Sequence, residues 1–122
     1  MPKIAISCEA PTLDALLDPR FGRAAGFLIV DPQTAAFEYL DNGASQAMGQ
    51  GAGIQAAEIV ARAGAKVVLT GFVGPKAFAA LSAAGVQVVQ DLENLTARQA
   101  LERFKSGNLT YADLPNQRRR GR

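Results

Sequence analysis

The run Lys66-Val67-Val68-Leu69-Thr70, with the helix-like segment after it and then Val86-Gln87-Val88-Val89, constrains the fold more than any other stretch of this chain. A strand-length run that is almost wholly apolar is expected where a sheet is covered on both faces. Pro75 suits the first position of a helix, Phe78 and Leu81 are inward-facing candidates on it, and Gly85 is its natural stop. Lys66 to Val89 therefore reads as one βαβ unit, whose parallel strands are joined by a right-handed crossover. That commits the chain to an α/β architecture.

The remaining segments extend this unit. Lys3 to Cys8 reads as a strand with Ile4, Ile6 and Cys8 on one face. Phe27 to Val30 and Ala35 to Leu40 form an antiparallel hairpin around the turn Asp31-Pro32-Gln33-Thr34. A helix follows with Ile54, Ala57, Val60 and Ala61 inward, and Gly64 ends it. Thr96 and Gln99 have the spacing of a capping box for a last helix that stops at Gly107 and carries Ala97, Ala100, Leu101 and Phe104 inward. The order is β-β-β-α-β-α-β-α, which predicts a five-stranded mixed sheet, 3-2-1-4-5, with strand 2 antiparallel and three helices. One domain is expected over residues 1–115, with 116–122 as a basic, disordered tail.

In this topology four unusual segments emerge at a single sheet edge. They are the end of strand 1 at Cys8, the loop Arg20-Phe21-Gly22-Arg23, the glycine-rich stretch Met48-Gly49-Gln50-Gly51-Ala52-Gly53, and Gly71-Phe72-Val73-Gly74-Pro75-Lys76. Open α/β sheets bind ligands in the crevice beyond the strand carboxyl ends where the winding reverses, here between strands 1 and 4. Glycine lets backbone N–H groups approach a ligand, and the first N–H groups of a helix have no intrahelical partner. The candidate donors are the amides of Gly49 to Gly53 and the helix end at Ile54, with Arg20, Arg23 and Lys76. Phe21, Met48, Phe72 and Val73 are candidate walls. The opposing readings are arginines tied to Asp14, Asp18 or loop carbonyls, phenylalanines acting as core plugs, a solvated Lys76, and Cys8 as a small buried hydrophobe.

Composition removes several chemistries. The chain has no histidine, which excludes His-based nucleophilic triads and His-ligated zinc, and its one cysteine excludes a four-thiolate site within a single chain. Strands 1 and 4 lack the clustered carboxylates of a two-metal nuclease, and the glycine spacings fit neither a Walker loop nor a dinucleotide fingerprint. The net charge of +2 comes from Arg118, Arg119, Arg120 and Arg122; the rest carries nine basic against eleven acidic residues. No apolar stretch reaches membrane-spanning length and no signal region follows Met1, so a soluble, cytoplasmic, non-membrane protein is expected.

Arg20-Phe21-Gly22-Arg23 before a strand, Gly51-Ala52-Gly53-Ile54 entering a helix, and Val67-Val68-Leu69-Thr70-Gly71-x-x-Gly74 followed by Ala84-Gly85-Val86 resemble the dinitrogenase iron–molybdenum cofactor biosynthesis family. The resemblance covers about residues 3 to 105. It implies a ribonuclease H-like fold and non-catalytic binding or carriage of a metal–sulfur cluster, either a nitrogenase cofactor precursor or a thiomolybdate-type or mixed molybdenum–copper sulfide cluster held non-covalently. The absence of histidine favours a preassembled thiometallate over a protein-ligated cofactor. The implied site comprises Arg20, Phe21, Arg23, Met48, Gly49, Gln50, Gly51, Gly53, Gly71, Phe72, Gly74 and Lys76, with Cys8 as a weak metal candidate. Its partners are the inorganic cluster and an acceptor or assembly protein; nucleic acid is not the expected partner. The alternative is a protein- or nucleic-acid-binding module acting through the Arg tail.

Overall fold

The computed structural model describes residues 2–48 and 50–116. Its elements are β1 (Lys3–Cys8), β2 (Gly26–Val30), β3 (Phe37–Asp41), α1 (Gly43–Gln46), α2 (Ala52–Arg62), β4 (Ala65–Leu69), α3 (Pro75–Ala83), β5 (Gln87–Val89) and α4 (Ala97–Lys105). The strands form one sheet in the order β3-β2-β1-β4-β5. β2 runs antiparallel to β1 and β3, while β1, β4 and β5 are parallel. The strand order is the expected one, and among the described residues four helices replace the expected three. Of the tail expected over 116–122, all but Asn116 lies outside the described residues.

The local rules that set the boundaries are visible in the hydrogen bonds. Thr96 caps α4: its side chain accepts from the Gln99 N–H, and the Gln99 side chain accepts from the Thr96 N–H. α3 and α4 end in left-handed glycines, Gly85 and Gly107, and the next residue's N–H reaches back to a carbonyl of the last turn. The hairpin differs from expectation. Ala35 lies at φ 65° and donates to the Asp31 carbonyl, so the turn extends through Ala36 and β3 begins at Phe37, two residues late.

The two sheet faces carry separate cores. On one, Ile4, Ile6, Cys8, Leu28, Val67 and Leu69 pack under α4 and the loop residues Leu13 and Leu17. On the other, Ala5, Phe27, Val68 and Val88 pack under α2 and α3 through Ala56, Ala57, Val60, Ala77 and Leu81. The α2 face departs from expectation. Its buried set is Ala52, Ala56, Ala57 and Val60, while Ile54 is 39% exposed. The helix starts two residues before Ile54, and small alanines are what permit the close packing of α2 on its neighbours. Phe78 is only partly buried, leaving Leu81 as the fully buried large side chain of α3.

Candidate functional site

The carboxyl ends of β1 and β4 lie side by side, with Ile6 paired to Leu69, and the next residues place two hydroxyls together: Ser7 Oγ and Thr70 Oγ1 are 2.7 Å apart and fully buried. Ser7 also donates to the Asp18 carbonyl at 2.6 Å, and the Asp18 N–H donates to the Ser7 carbonyl. These bonds pin the start of the loop before β2 against the point where the winding reverses. From there the loop runs beside the segment after β4. The Phe72 N–H donates to the Pro19 carbonyl, and the Phe21 N–H donates to the Phe72 carbonyl, making a parallel bridge between Arg20 and Phe72.

Asp18 is the hidden organiser of this loop. Its side chain is 1% exposed, and its carboxylate accepts from the Arg20 N–H, Arg20 Nε, Arg20 Nη2 and the Ala25 N–H. A buried carboxylate needs this many donors to offset its lost hydration. The same pair fixes Arg20, whose side chain stays 62% exposed and whose Nη1 takes no part in the pairing. The adjacent carboxylate raises the Arg20 pKa, so its cationic form is favoured further.

A groove of about 690 Å³ opens beside this loop, within the size range of small-ligand sites. Three segments form its walls: Arg20 to Arg23, Gln50 to Ile54, and Phe72 with Gly74 to Ala77. They meet closely because glycine stands where they touch. A Cβ on Gly53 would lie 2.8 Å from the Ala77 Cβ, and one on Gly22 would lie 3.0 Å from the Gly53 Cα. The N-termini of α2 and α3 are thus brought together at the groove. Gly51 precedes α2 at φ 82°, a left-handed conformation costly to other residues. Gly74 precedes α3, with Pro75 at its start.

The electrostatics of the lining are one-sided. Neither helix start has a side-chain cap or an acidic residue in its first turn. Each such terminus carries the equivalent of about half a positive charge in its unpaired N–H groups. Arg20, Arg23 and Lys76 add three cationic side chains, and among the described residues no carboxylate, thiol or imidazole belongs to the lining. Exposed Phe72 and Ile54 supply apolar surface beside these donors. The arrangement suits an anion with a large, polarizable surface.

The sequence pattern of the dinitrogenase iron-molybdenum cofactor family matches residues 2–107. The chain belongs to this family. Among solved structures, the apo form of the orange protein from Desulfovibrio gigas is 60% identical with a TM-score of 0.93, over 96% of this chain and 98% of its own. A NifB-like protein from Thermotoga, of the DUF35 family, is 30% identical with a TM-score of 0.78, over 91% of this chain and 93% of its own. The comparison with curated proteins gives no match.

In this family member, nine of the residues singled out from sequence line the groove together: Arg20, Phe21, Arg23, Gln50, Gly51, Gly53, Phe72, Gly74 and Lys76. Met48 lines the adjoining recess with Gly51, Ile54, Gln55, Glu58, Ile59 and Arg62. Gly71 is buried and does not line the groove; a Cβ there would overlap the Pro19 backbone, so its smallness lets the two wall segments pair. Gly49 lies outside the described residues. Phe21 is buried against Phe27, with ring centroids 5.3 Å apart, and is chiefly a core plug that forms the groove floor. Val73 is fully buried in the core instead of forming a wall.

Cys8 is not brought to the groove. It is fully buried on the opposite face of the sheet, its thiol donating to the carbonyls of Ala10 at 3.1 Å and Thr12 at 3.6 Å, and burial pushes its pKa up. Among the described residues no group of three or more His, Cys, Asp or Glu side chains is placed to hold a metal ion. No helix among them is long and apolar enough to cross a membrane.

Sequence reasoning misses the roles of four residues. Gly22 and Ala77 matter as points of closest approach, and Ile54 is a groove lip instead of a core residue. Asn42 is the fourth: buried before α1, it donates through Nδ2 to the carbonyls of Gly22 and Ala24. Arg23 completes this tie by donating through Nη1 to the carbonyls of Gln46 at 3.0 Å and Met48 at 2.7 Å. In return the Gln46 side chain donates to the Arg23 carbonyl.

Proposed function

We propose that this chain is a non-catalytic, cytoplasmic carrier that holds a metal–sulfur cluster in the groove without covalent attachment. The convergence of two uncapped helix N-termini with Arg20, Arg23 and Lys76, on a lining whose described residues include no carboxylate, carries this reading. A thiometallate is a polyanion whose outer sulfides accept hydrogen bonds, so amide and guanidinium donors with apolar walls suit it better than protein ligands do. A thiomolybdate-type or mixed molybdenum–copper sulfide cluster fits the donor set more directly than an iron–molybdenum cofactor precursor that needs a thiolate or imidazole ligand. Membership of the cofactor family and the likeness to an orange protein solved in its apo form support a bound state of this kind. The scaffold is read as ribonuclease H-like, and an acceptor or assembly protein would receive the cluster.

The cluster is cargo, and the chain's own residues define its seat. Amides of the first turn of α2 and guanidinium groups of the loop before β2 neutralise its charge, while Phe72 and Ile54 exclude water from its flank. The test is to mix the protein with tetrathiomolybdate, with and without copper salt, and desalt. Retained visible charge-transfer absorption is expected. A colourless protein fraction under both conditions overturns the reading.

A further inference from the structure

After α4 the chain turns back onto the domain. Residues 109–116 return along β5, an edge strand, and along the segment that follows it. Leu109 packs against the core that α4 covers, the Ala112 N–H donates to the Val88 carbonyl at 2.7 Å, and Gln90 Nε2 donates to the Leu114 carbonyl at 2.7 Å. Asn116, the first residue of the expected disordered tail, is held instead by two hydrogen bonds. Its Oδ1 accepts from the Val73 N–H at 2.7 Å, and its Nδ2 donates to Asp91 Oδ1 at 2.6 Å. This strap adds little to the core, since Leu114 is 70% exposed and Tyr111 41%. What it contributes is hydrogen bonds, and they end behind the groove wall. The strap also lies beyond residue 107, where the match to the family pattern stops.

Val73 stands at the joint between two parts of that wall. Before it, Phe72 donates to the Pro19 carbonyl and accepts from the Phe21 N–H, so its backbone is committed to the loop that carries Arg20 and Arg23. After it, Gly74 is the N-cap of α3, whose start brings Lys76 and Ala77 to the groove. Behind the wall, the Asp91 N–H donates to the Gly71 carbonyl and the Leu92 N–H to the Thr70 carbonyl, which ties residues 70 and 71 to the segment after β5. Asn116 closes this ring. The same Asp91 that holds Gly71 through its N–H orients the Asn116 carboxamide through its carboxylate, and the carboxamide oxygen takes the N–H of fully buried Val73. A buried N–H left without an acceptor is costly, so loss of Asn116 favours a shift of Val73 toward water, carrying Phe72 and the first turn of α3 with it. We propose that Asn116 is a positioning residue of the anion seat. Paired with Asp91, it sets the start of α3 against the loop of Arg20 to Arg23.

This inference rests on the groove being the anion seat. Asn116→Ala removes the acceptor without changing the charge of the chain. Its affinity for tetrathiomolybdate should fall about three- to tenfold, by the same factor at low salt and at about 0.5 M, because donors are misplaced and no cation is lost. Exchange of the Val73 amide with deuterium should quicken in the same variant. The swap D91N/N116D tests the orientation of the pair. Asparagine tolerates the left-handed backbone of Asp91, at φ 68°, and the carboxylate moved to position 116 can accept from both the Val73 N–H and the carboxamide moved to position 91, at unchanged net charge. Asn116→Asp alone sets two carboxylates against each other and should bind more weakly than Asn116→Ala, whereas the swap should return to within about twofold of the parent and slow Val73 exchange again. An Asn116→Ala variant that binds like the parent, or whose Val73 amide exchanges no faster, overturns the positioning role and leaves the groove reading standing. A swap that binds no better than Asn116→Asp does the same. Absence of binding by the parent overturns the groove reading and this inference together.

Discussion

Gly53→Ala separates the architectural reading of the groove from a merely compositional one. In an ordinary helix, replacing glycine with alanine stabilises by up to about 1 kcal/mol, because the unfolded chain loses conformational freedom. At this position the new Cβ would lie 2.8 Å from the Ala77 Cβ, where an ordinary carbon–carbon contact needs about 3.6 Å. The starts of α2 and α3 must therefore separate by about 0.8 Å. Overpacking of this size costs about 1 to 3 kcal/mol, so the net change runs from about neutral to 2 kcal/mol destabilising. The larger effect is expected on the ligand. Moving the amides of one helix start away from those of the other misaligns hydrogen bonds whose strength falls steeply with geometry, for a loss of about five- to tenfold in tetrathiomolybdate affinity.

Ala77→Gly supplies the internal control, since it removes the atom that the added methyl group would strike. The double variant G53A/A77G should bind like the parent, with a coupling energy of about 1 to 3 kcal/mol between the sites in urea denaturation. The reasoning is refuted if Gly53→Ala alone is about 1 kcal/mol more stable than the parent, binds as tightly, and shows no coupling to Ala77→Gly.

Lys76→Gln removes an exposed cation from the groove without touching the core, so it should leave urea stability unchanged and weaken tetrathiomolybdate binding about two- to fivefold at low salt, as titrations at two ionic strengths will show. Thr96→Ala deletes the hydroxyl that caps α4 and should cost about 1 kcal/mol in urea denaturation with no change in binding, since α4 lies on the face away from the groove. Burial pushes the Cys8 thiol above its ordinary value of 9.0, so the folded state holds this proton more tightly than the unfolded chain does. Stability from this group is complete below pH 9 and falls as pH rises beyond it; urea midpoints compared between pH 7 and pH 10 should drop more for the parent than for Cys8→Ala.

The sheet is legible because its signals are local and redundant. Strand-length apolar runs, the Thr96–Gln99 spacing and the glycines after α3 and α4 each fix a boundary by short-range geometry, and the boundaries together leave few topologies. Two misreadings share one cause. In α2 the large aliphatic Ile54 suggests an inward position, yet the buried face belongs to Ala52, Ala56 and Ala57 because α2 must approach α3 closely beside the groove. In α1 the sequence Gly-Ala-Ser-Gln has weak helix propensity, so by itself the turn reads as part of a glycine-rich loop. It forms because Ser45 is buried and Asn42, Gln46 and Arg23 tie the segment to the loop before β2. In both cases tertiary packing overrides the local preference.

The same distinction explains what can be read of the groove. That Ile4, Ile6 and Cys8 share a face follows from strand alternation, but which face the helix starts occupy depends on where α2 and α3 pack. Sequence therefore gathers the arginines and glycines at one rim, and the fold brings them to one groove; Cys8 it leaves open, and packing sets that residue on the far side. Asp14 and Asp18 are equivalent candidates in sequence for pairing the loop arginines. Burial separates them: Asp18 organises Arg20 from beneath, whereas exposed Asp14 pairs with Arg98 of α4 at 2.9 Å. A carboxylate that orients a cation from beneath offsets part of its charge, yet by staying out of the lining it leaves the guanidinium, and not itself, facing an incoming ligand. It also makes the donor set rigid, which lowers the entropy lost when a soft polyanion with no directional bonds of its own is fixed in place. A seat that does not bond to its cargo depends on this rigidity for selectivity, so disturbing Asp18, one layer beneath the groove, should erode discrimination between anions as well as affinity.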